Sequence, residues 1–305
     1  MNYKAFWKTL IVLSCCLILL DVTVGKSLKY LYFQQKNGKS HSLTVGLKQQ
    51  QSDILIFGSS RAMHHYDPDI ISDSLQMTCY NIGYDGQSIL YHNAVLDVVM
   101  ERYNPKIIIL DILSEELYES TQSYDLLSVL NPYVSDYPVL WNTLSLISPY
   151  EKVKHLSSIY PYNSTLLRTI AGNIERGGKD ITLNGFTPQE GIWKFPLKQR
   201  TFQVDKDFDP NKLKAFELFC RKCIENEIDL YIIVSPIFVD VQEQSSSTHY
   251  IIEKCNAQAI PFISFVNDGN YRSNELFLDE SHLNTAGSAV FSKEMSYRIA
   301  AKVKN

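Results

Sequence analysis

Five short apolar runs punctuate the chain, at Ile54–Phe57, 79–82, 107–110, 230–235 and 262–266. They are rich in β-branched and aromatic residues and too short for core helices, which predicts strands buried on both faces. Between them, apolar positions recur at helical spacing. In Ile89–Met100 they are Leu90, Ala94, Val95, Val98 and Val99; Pro210–Glu225 and the stretches 70–75, 248–257 and 285–302 carry the same period. Strands alternating with helices predict an α/β fold, a three-layer α/β/α doubly wound parallel sheet of about five strands. The stretch 116–210 breaks this rhythm. Pro132, Pro138, Pro149 and Pro161 cut it into short helical pieces, and a glycine-rich segment around Gly177, Gly178 and Gly185 follows. It reads as a helical insertion plus a mobile loop after the third strand, on the side where a site would lie.

The amino end has a different pattern. Lys4 and Lys8 precede a run without charge, Thr9 to Leu20, which Asp21 closes. Basic residues before an apolar core define an export signal and stay on the cytoplasmic side. The run is short for a full span, yet no Ala-x-Ala cleavage site follows it. A retained signal anchor over residues 1–28 is the preferred reading, with a cleaved signal as its alternative. Residues 29–50 are polar and lysine-rich and are expected to form a membrane-proximal stalk or helix. Residues 51–305 form the folded domain, which the anchor places outside the cytoplasm, in the periplasm or at the cell surface.

The first strand ends in Gly58-Ser59-Ser60-Arg61. Glycine permits a sharp turn, and the serines fall where a helix begins, at the carboxyl edge of a parallel sheet, where open α/β folds place their sites. Taken alone, a serine there is an N-cap. Near the far end stands Asp279-Glu280-Ser281-His282, just before the closing helix. A carboxylate three residues from an imidazole can orient it, and the imidazole can take a serine proton. The loop after a last strand can fold back onto the first strand's edge and bring these groups to Ser60.

These motifs resemble the SGNH (GDSL-like) hydrolase superfamily, with Ser59 in place of the family's Asp in its Gly-Asp-Ser motif. A third segment, Asn81-Ile82-Gly83-Tyr84-Asp85-Gly86, is similar to the family block that ends in an oxyanion-hole glycine. The resemblance implies Ser60 as nucleophile, His282 as base and Asp279 as its orienter, with Ser60 and Gly86 in the oxyanion hole. After the third strand the family carries an Asn that completes that hole; here the chain reads Asp111-Ile112-Leu113-Ser114-Glu115, and Ser114 falls at about that place. The Gly-Ser-Ser variant resembles membrane-anchored members that handle acyl groups on bacterial cell-surface polysaccharides, acting as O-acetyl esterases or acyltransferases. The implied activity is a serine esterase or acyltransferase on acyl esters, acetyl first among them, of carbohydrate or of small substrates. Arg61, His64 and His65 lie close enough in sequence to Ser60 to be candidate substrate contacts. The alternative is a non-catalytic glycan-binding or assembly protein that keeps the fold, a reading fed by the missing Asn.

Composition adds limits. With 45% hydrophobic and 20% charged residues and a net charge of −4 over 305 residues, the chain can bury a full core, and a nucleic-acid partner is not expected. Cys220 and Cys223 have zinc-like spacing, but they sit in a helical pattern with no second pair nearby and read as core-facing residues. No metal site and no cofactor is expected. The oligomeric state stays open.

Overall fold

The computed structural model of the chain describes residues 3–174, 184–202, 204 and 206–303. Gly177 and Gly178 of the glycine-rich segment lie outside the described residues. The chain opens with α1 (Tyr3–Phe33) and α2 (Gly38–Lys48), then enters the sheet through β1 (Ile54–Phe57). Next come α3 (Ser60–His65), α4 (Pro68–Leu75), β2 (Cys79–Asn81), α5 (Ile89–Met100) and β3 (Ile107–Asp111). The inserted stretch holds four short helices, α6 (Thr121–Asp125), α7 (Trp141–Leu144), α8 (Glu151–Lys154) and α9 (Leu166–Asn173), joined by 3₁₀ turns, and then β4 (Lys198–Thr201). The second half runs through α10 (Pro210–Glu225), β5 (Asp229–Val234), β6 (Val239–Glu243), α11 (Ser246–Ala257), β7 (Phe262–Ser264) and α12 (Thr285–Val303).

The main sheet has five strands in the order β2-β1-β3-β5-β7, and every pairing is parallel. Alternation along β1 divides the core in two. Leu55 and Phe57 point to one face, where they join Val95 and Val99 of α5, Phe216 and Phe219 of α10, and Ile251 of α11. Ile54 and Ile56 point to the other, against Ile71 of α4 and Phe291, Met295 and Ile299 of α12. All four β1 residues have no solvent exposure, and each large apolar side chain so buried stabilises the fold by about 1.5–3 kcal/mol. Cys220, Cys223 and Cys255 pack in the first of these cores. The strand order reverses between β1 and β3, so the connections after them leave to opposite faces of the sheet and a crevice lies between those connections.

Two parts add detail to the expected layout. Residues 29–50 are mostly helical and pack against the domain. Tyr32, Leu43 and Leu47 are buried with Tyr80, Ile82 and Tyr133, and Thr44 Oγ1 lies 2.7 Å from the Tyr133 hydroxyl. Arg102 closes the end of α2 by donating to the carbonyls of Leu47 and Gln50, each at 2.6 Å. The lysines of this segment set its average polarity and hide one narrow apolar face, which tertiary contact covers. The second is a small parallel sheet, β4 beside β6. Its strand β4 is exposed along its length; it owes its place to Phe202, which packs on Val239 and Val241.

At the amino end, residues 3–20 of α1 are exposed on every side. Among the described residues α1 is the one helix long and apolar enough to cross a membrane.

Candidate active site

The turn after β1 is held by a glycine that nothing else could replace. Gly58 has φ +148°, and a Cβ there would lie 2.7 Å from both Ala62 Cβ and the Asp111 carbonyl oxygen. Its own carbonyl accepts the Tyr84 N–H at 3.0 Å, which ties the β1 turn to the loop that carries Gly86. Ser60 follows as the first residue of α3. The loop after β7 folds back over this edge and sets His282 Nε2 2.8 Å from Ser60 Oγ. On the other side of the ring, Nδ1 stands 2.9 and 3.0 Å from the two carboxylate oxygens of Asp279. A carboxylate can only accept, so the proton sits on Nδ1 and Nε2 is free to accept from the serine hydroxyl. Asp279 also accepts the backbone N–H groups of Ser281, at 2.7 Å, and His282, at 2.9 Å. Its partial burial works to raise the carboxyl's pKa, but the hydrogen bonds from His282 and Ser281 outweigh it and hold the pKa below the usual range.

Ser60 and His282 border a cleft of about 330 Å³, lined also by Gly86, Ser114, Glu115, Arg200, Phe202 and Val239, with Asp279 behind the imidazole. Gly86 has φ +72°. The Ser114 backbone is pinned: its carbonyl accepts the hydroxyls of Ser245 and, at 3.1 Å, Thr248, at the start of α11. The small sheet forms one wall, where the Arg200 guanidinium lies over the Phe202 ring at 4.7 Å and 3.6 Å from Glu115.

Of the expected substrate contacts, Arg61 stays at the cleft, while His64 and His65 are not part of its lining. Arg61 borders it, but its guanidinium is buried, donating to the Ile112 carbonyl at 2.6 Å and lying 3.7 Å from Asp111. His64 is also buried. Its Nδ1 is 2.7 Å from the Thr187 carbonyl oxygen and must donate there, while Nε2 is 3.4 Å from Asp85. Asp85 pairs in turn with Lys39 of α2. Burial opposes the Asp85 charge, but His64 and Lys39 prevail and hold its carboxyl at about 2.

His65 is fully buried, and its tautomer is dictated by its partners. Nε2 accepts the Leu283 N–H at 3.0 Å. Nδ1 therefore carries the proton and donates to Ser235 Oγ at 3.0 Å. That hydroxyl donates onward to Asp111 Oδ2 at 2.7 Å, and Asp111 also accepts the Ser235 N–H at 3.2 Å. Burial pushes the His65 pKa well below its usual value, which agrees with a neutral ring whose second nitrogen accepts. The helix face decides all this: α3 presents Ser60 to the cleft and drives the side chains after it into the sheet's edge. Sequence reasoning missed Asp111, Ser235, Arg200 and Phe202. The only available signal was position: Asp111 and Ser235 stand at the carboxyl ends of the third and fourth apolar runs.

No protein-family model and no curated protein matches the chain. Thirteen chains of solved structures are similar in shape, two of them as follows. One, from Desulfitobacterium hafniense DCB-2, is described as a lipolytic protein of the G-D-S-L family; the likeness covers 80% of this chain and 97% of that one, at 10% identity and a TM-score of 0.37. The other is an active-site mutant of a family two carbohydrate esterase from Clostridium thermocellum, with 82% of this chain and 64% of that one covered, at 8% identity and a TM-score of 0.40.

Proposed function

We propose that the protein is a membrane-anchored serine esterase or acyltransferase of the SGNH type, acting on acyl esters, acetyl first among them, of cell-surface carbohydrate. The observation that carries this reading is the unbroken line from Ser60 Oγ through His282 to Asp279, at hydrogen-bond distance throughout and open to a cleft at the sheet's switch point. In this scheme Ser60 Oγ attacks the ester carbonyl as His282 Nε2 takes its proton. Asp279 keeps the ring in the accepting tautomer and stabilises the imidazolium that forms. The N–H groups of Ser60 and Gly86 receive the charge that develops on the carbonyl oxygen. His282 then hands the proton to the departing alcohol oxygen, which leaves an acyl group on Ser60. Water or an acceptor hydroxyl, deprotonated by His282, releases it.

In this reading Ser114, which lines the cleft, takes the place of the Asn that would complete the oxyanion hole, and its hydroxyl supplies only part of that donor. This departure favours a second reading, a non-catalytic glycan-binding protein on the same fold. A fluorophosphonate probe separates the two. Covalent labelling mapped to Ser60 by mass spectrometry, abolished by heat unfolding, supports the enzyme. A folded protein that takes no label, or takes it at Ser59, overturns the assignment.

A further inference from the structure

The corner where α1 meets the domain carries an arrangement that catalysis does not use. Asp21 closes the apolar stretch of α1, and its carboxylate accepts the Ser157 hydroxyl and the Ser158 N–H, both at 2.6 Å. Gly25, one turn further on, lies so close to Ser158 that it has no room for a side chain. Asn173 at the end of α9 donates to the Leu31 carbonyl at 2.8 Å. The insertion thus grips α1 from Asp21 onward, and the depth of residues 156–158 along the helix is set by Asp21. Just before that grip, one tight turn built on α8 exposes Tyr150, Val153 and Leu156, to 67%, 61% and 83%. They are spaced three apart, so they share one face; Leu156 N–H bonds the Val153 carbonyl and Val153 N–H the Tyr150 carbonyl, each at 3.0 Å. Large apolar side chains this exposed and this close together mark a contact surface rather than scattered surface residues.

We propose that the turn 150–156 is a membrane-surface contact, seated in the interface of the bilayer that α1 crosses. The inference rests on the anchor part of the function proposed above and does not depend on its catalytic part. The bilayer is the occupant because α1 and the turn share one level. Residues 3–20 rise about 27 Å along an α-helix, close to the roughly 30 Å hydrocarbon core; Lys4 and Lys8 snorkel to the cytoplasmic boundary, and Asp21 stands at the opposite one with Leu156 beside it. The charge-free part, Thr9 to Leu20, is shorter still, about 18 Å. A span this short is met by local thinning of the bilayer, which brings the boundary toward the turn beside Asp21 and its exposed apolar side chains. Leu167 on α9, 82% exposed, extends the apolar surface of the same inserted stretch.

The test uses the full chain in phospholipid vesicles, with Cys15→Ala and Cys16→Ala so that no exposed native thiol remains; the other four cysteines are buried. An environment-sensitive dye is placed at Leu156→Cys and, as the comparison, at Tyr297→Cys. Tyr297 is an equally large exposed residue, 75% accessible, on α12, which packs against α3 and α4 instead. The expected result is flotation with the vesicles, a blue-shifted emission at position 156 and loss of more than half of it when the lipid carries a shallow spin label. Position 297 is to remain solvent-like and unquenched. Flotation with a solvent-like dye at 156 overturns the contact and leaves the anchor standing. A blue-shifted but unquenched dye means that a protein, another copy included, covers the turn, and also overturns the proposal. A chain that does not float overturns the anchor and the contact together.

Discussion

Two corners of this molecule treat their side chains in opposite ways. At the carboxyl edge of β1 and β3, polar groups are joined to one another through protein partners: Ser60 to His282 to Asp279 in the cleft, and Leu283 N–H to His65 to Ser235 to Asp111 beneath it. At the α1 corner the anchoring contacts are likewise polar, but the apolar residues beside them, Tyr150, Val153 and Leu156, find no protein cover. These two lines of hydrogen bonds close on protein groups alone, the preorganisation that an active site requires. The α1 corner is complete only against something else. The two histidines facing each other across the first corner repeat the lesson on a smaller scale. Their ring centroids are 6.3 Å apart, yet His282 is partly exposed and aimed at a nucleophile, while His65 is sealed and aimed at the backbone of the residue after His282.

The largest expected effect breaks the proposed catalytic corner outright. Ser60→Ala is to lower hydrolysis of an aryl acetate by several orders of magnitude, on the order of 10⁴–10⁶, with the unfolding midpoint little changed. A residual rate within tenfold of the wild type would remove Ser60 from the chemistry.

The next prediction asks whether the buried relay positions the exposed one. His65→Ala leaves the Leu283 N–H without its acceptor, which costs about 1–3 kcal/mol in unfolding free energy. It also frees the loop that carries His282, and a misplacement near 1 Å costs on the order of 10²-fold in rate. kcat is to fall while KM holds, and His65→Gln, whose side-chain oxygen can accept the same N–H, is to recover part of the rate. Lost stability with kcat intact would make His65 a packing residue only.

Acid titration tests the tie between α2 and the Gly86 loop. The Asp85 carboxyl sits at about 2 in the folded protein against an ordinary 3.8. Its folded value is depressed, so its contribution to stability is complete above the ordinary value and is lost as pH falls from about 4 toward about 2. Asp85→Asn is to flatten that part of the stability–pH curve measured by urea unfolding; an unchanged slope would show that the pair with His64 and Lys39 contributes nothing.

The smallest effect is expected at Ser114. A full oxyanion donor is worth about 10²–10³ in rate, and a freely rotating hydroxyl supplies only part of that. Ser114→Ala is therefore to lower kcat less than tenfold, and Ser114→Asn is to raise it. A loss of tenfold or more with Ser114→Ala would show a complete donor.

Much of the layout was legible in the chain. The five apolar runs became the five strands of the main sheet, and Ile89–Met100 and Pro210–Glu225 are helices over the residues their periodicity marked. Gly58-Ser59-Ser60 and Asp279-x-x-His282 could be read as partners because each motif is local and its chemistry needs only a few adjacent residues. Other parts were not legible. The apolar positions of α2, Leu43 and Leu47, are outnumbered by polar neighbours, and only Tyr80 and Tyr133, far along the chain, make them core. Strands β4 and β6 lack a strong apolar run and pair because Phe202 finds Val239 and Val241.

The sequence by itself determined the alternation of strand and helix, the turn at Gly58 and the two local motifs that hold Ser60, Asp279 and His282, since periodicity, glycine geometry and side-chain type are properties of residues a few positions apart. Only the tertiary structure decided where those groups point. It sent Arg61, His64 and His65 inward, because the rotation of α3 about its axis is set by Asp111, Ser235 and Leu283, and it brought Leu156 level with the end of the apolar helix, because Asp21 bonds a segment more than a hundred residues away. Such outcomes depend on contacts between distant parts of the chain, and no local pattern records them.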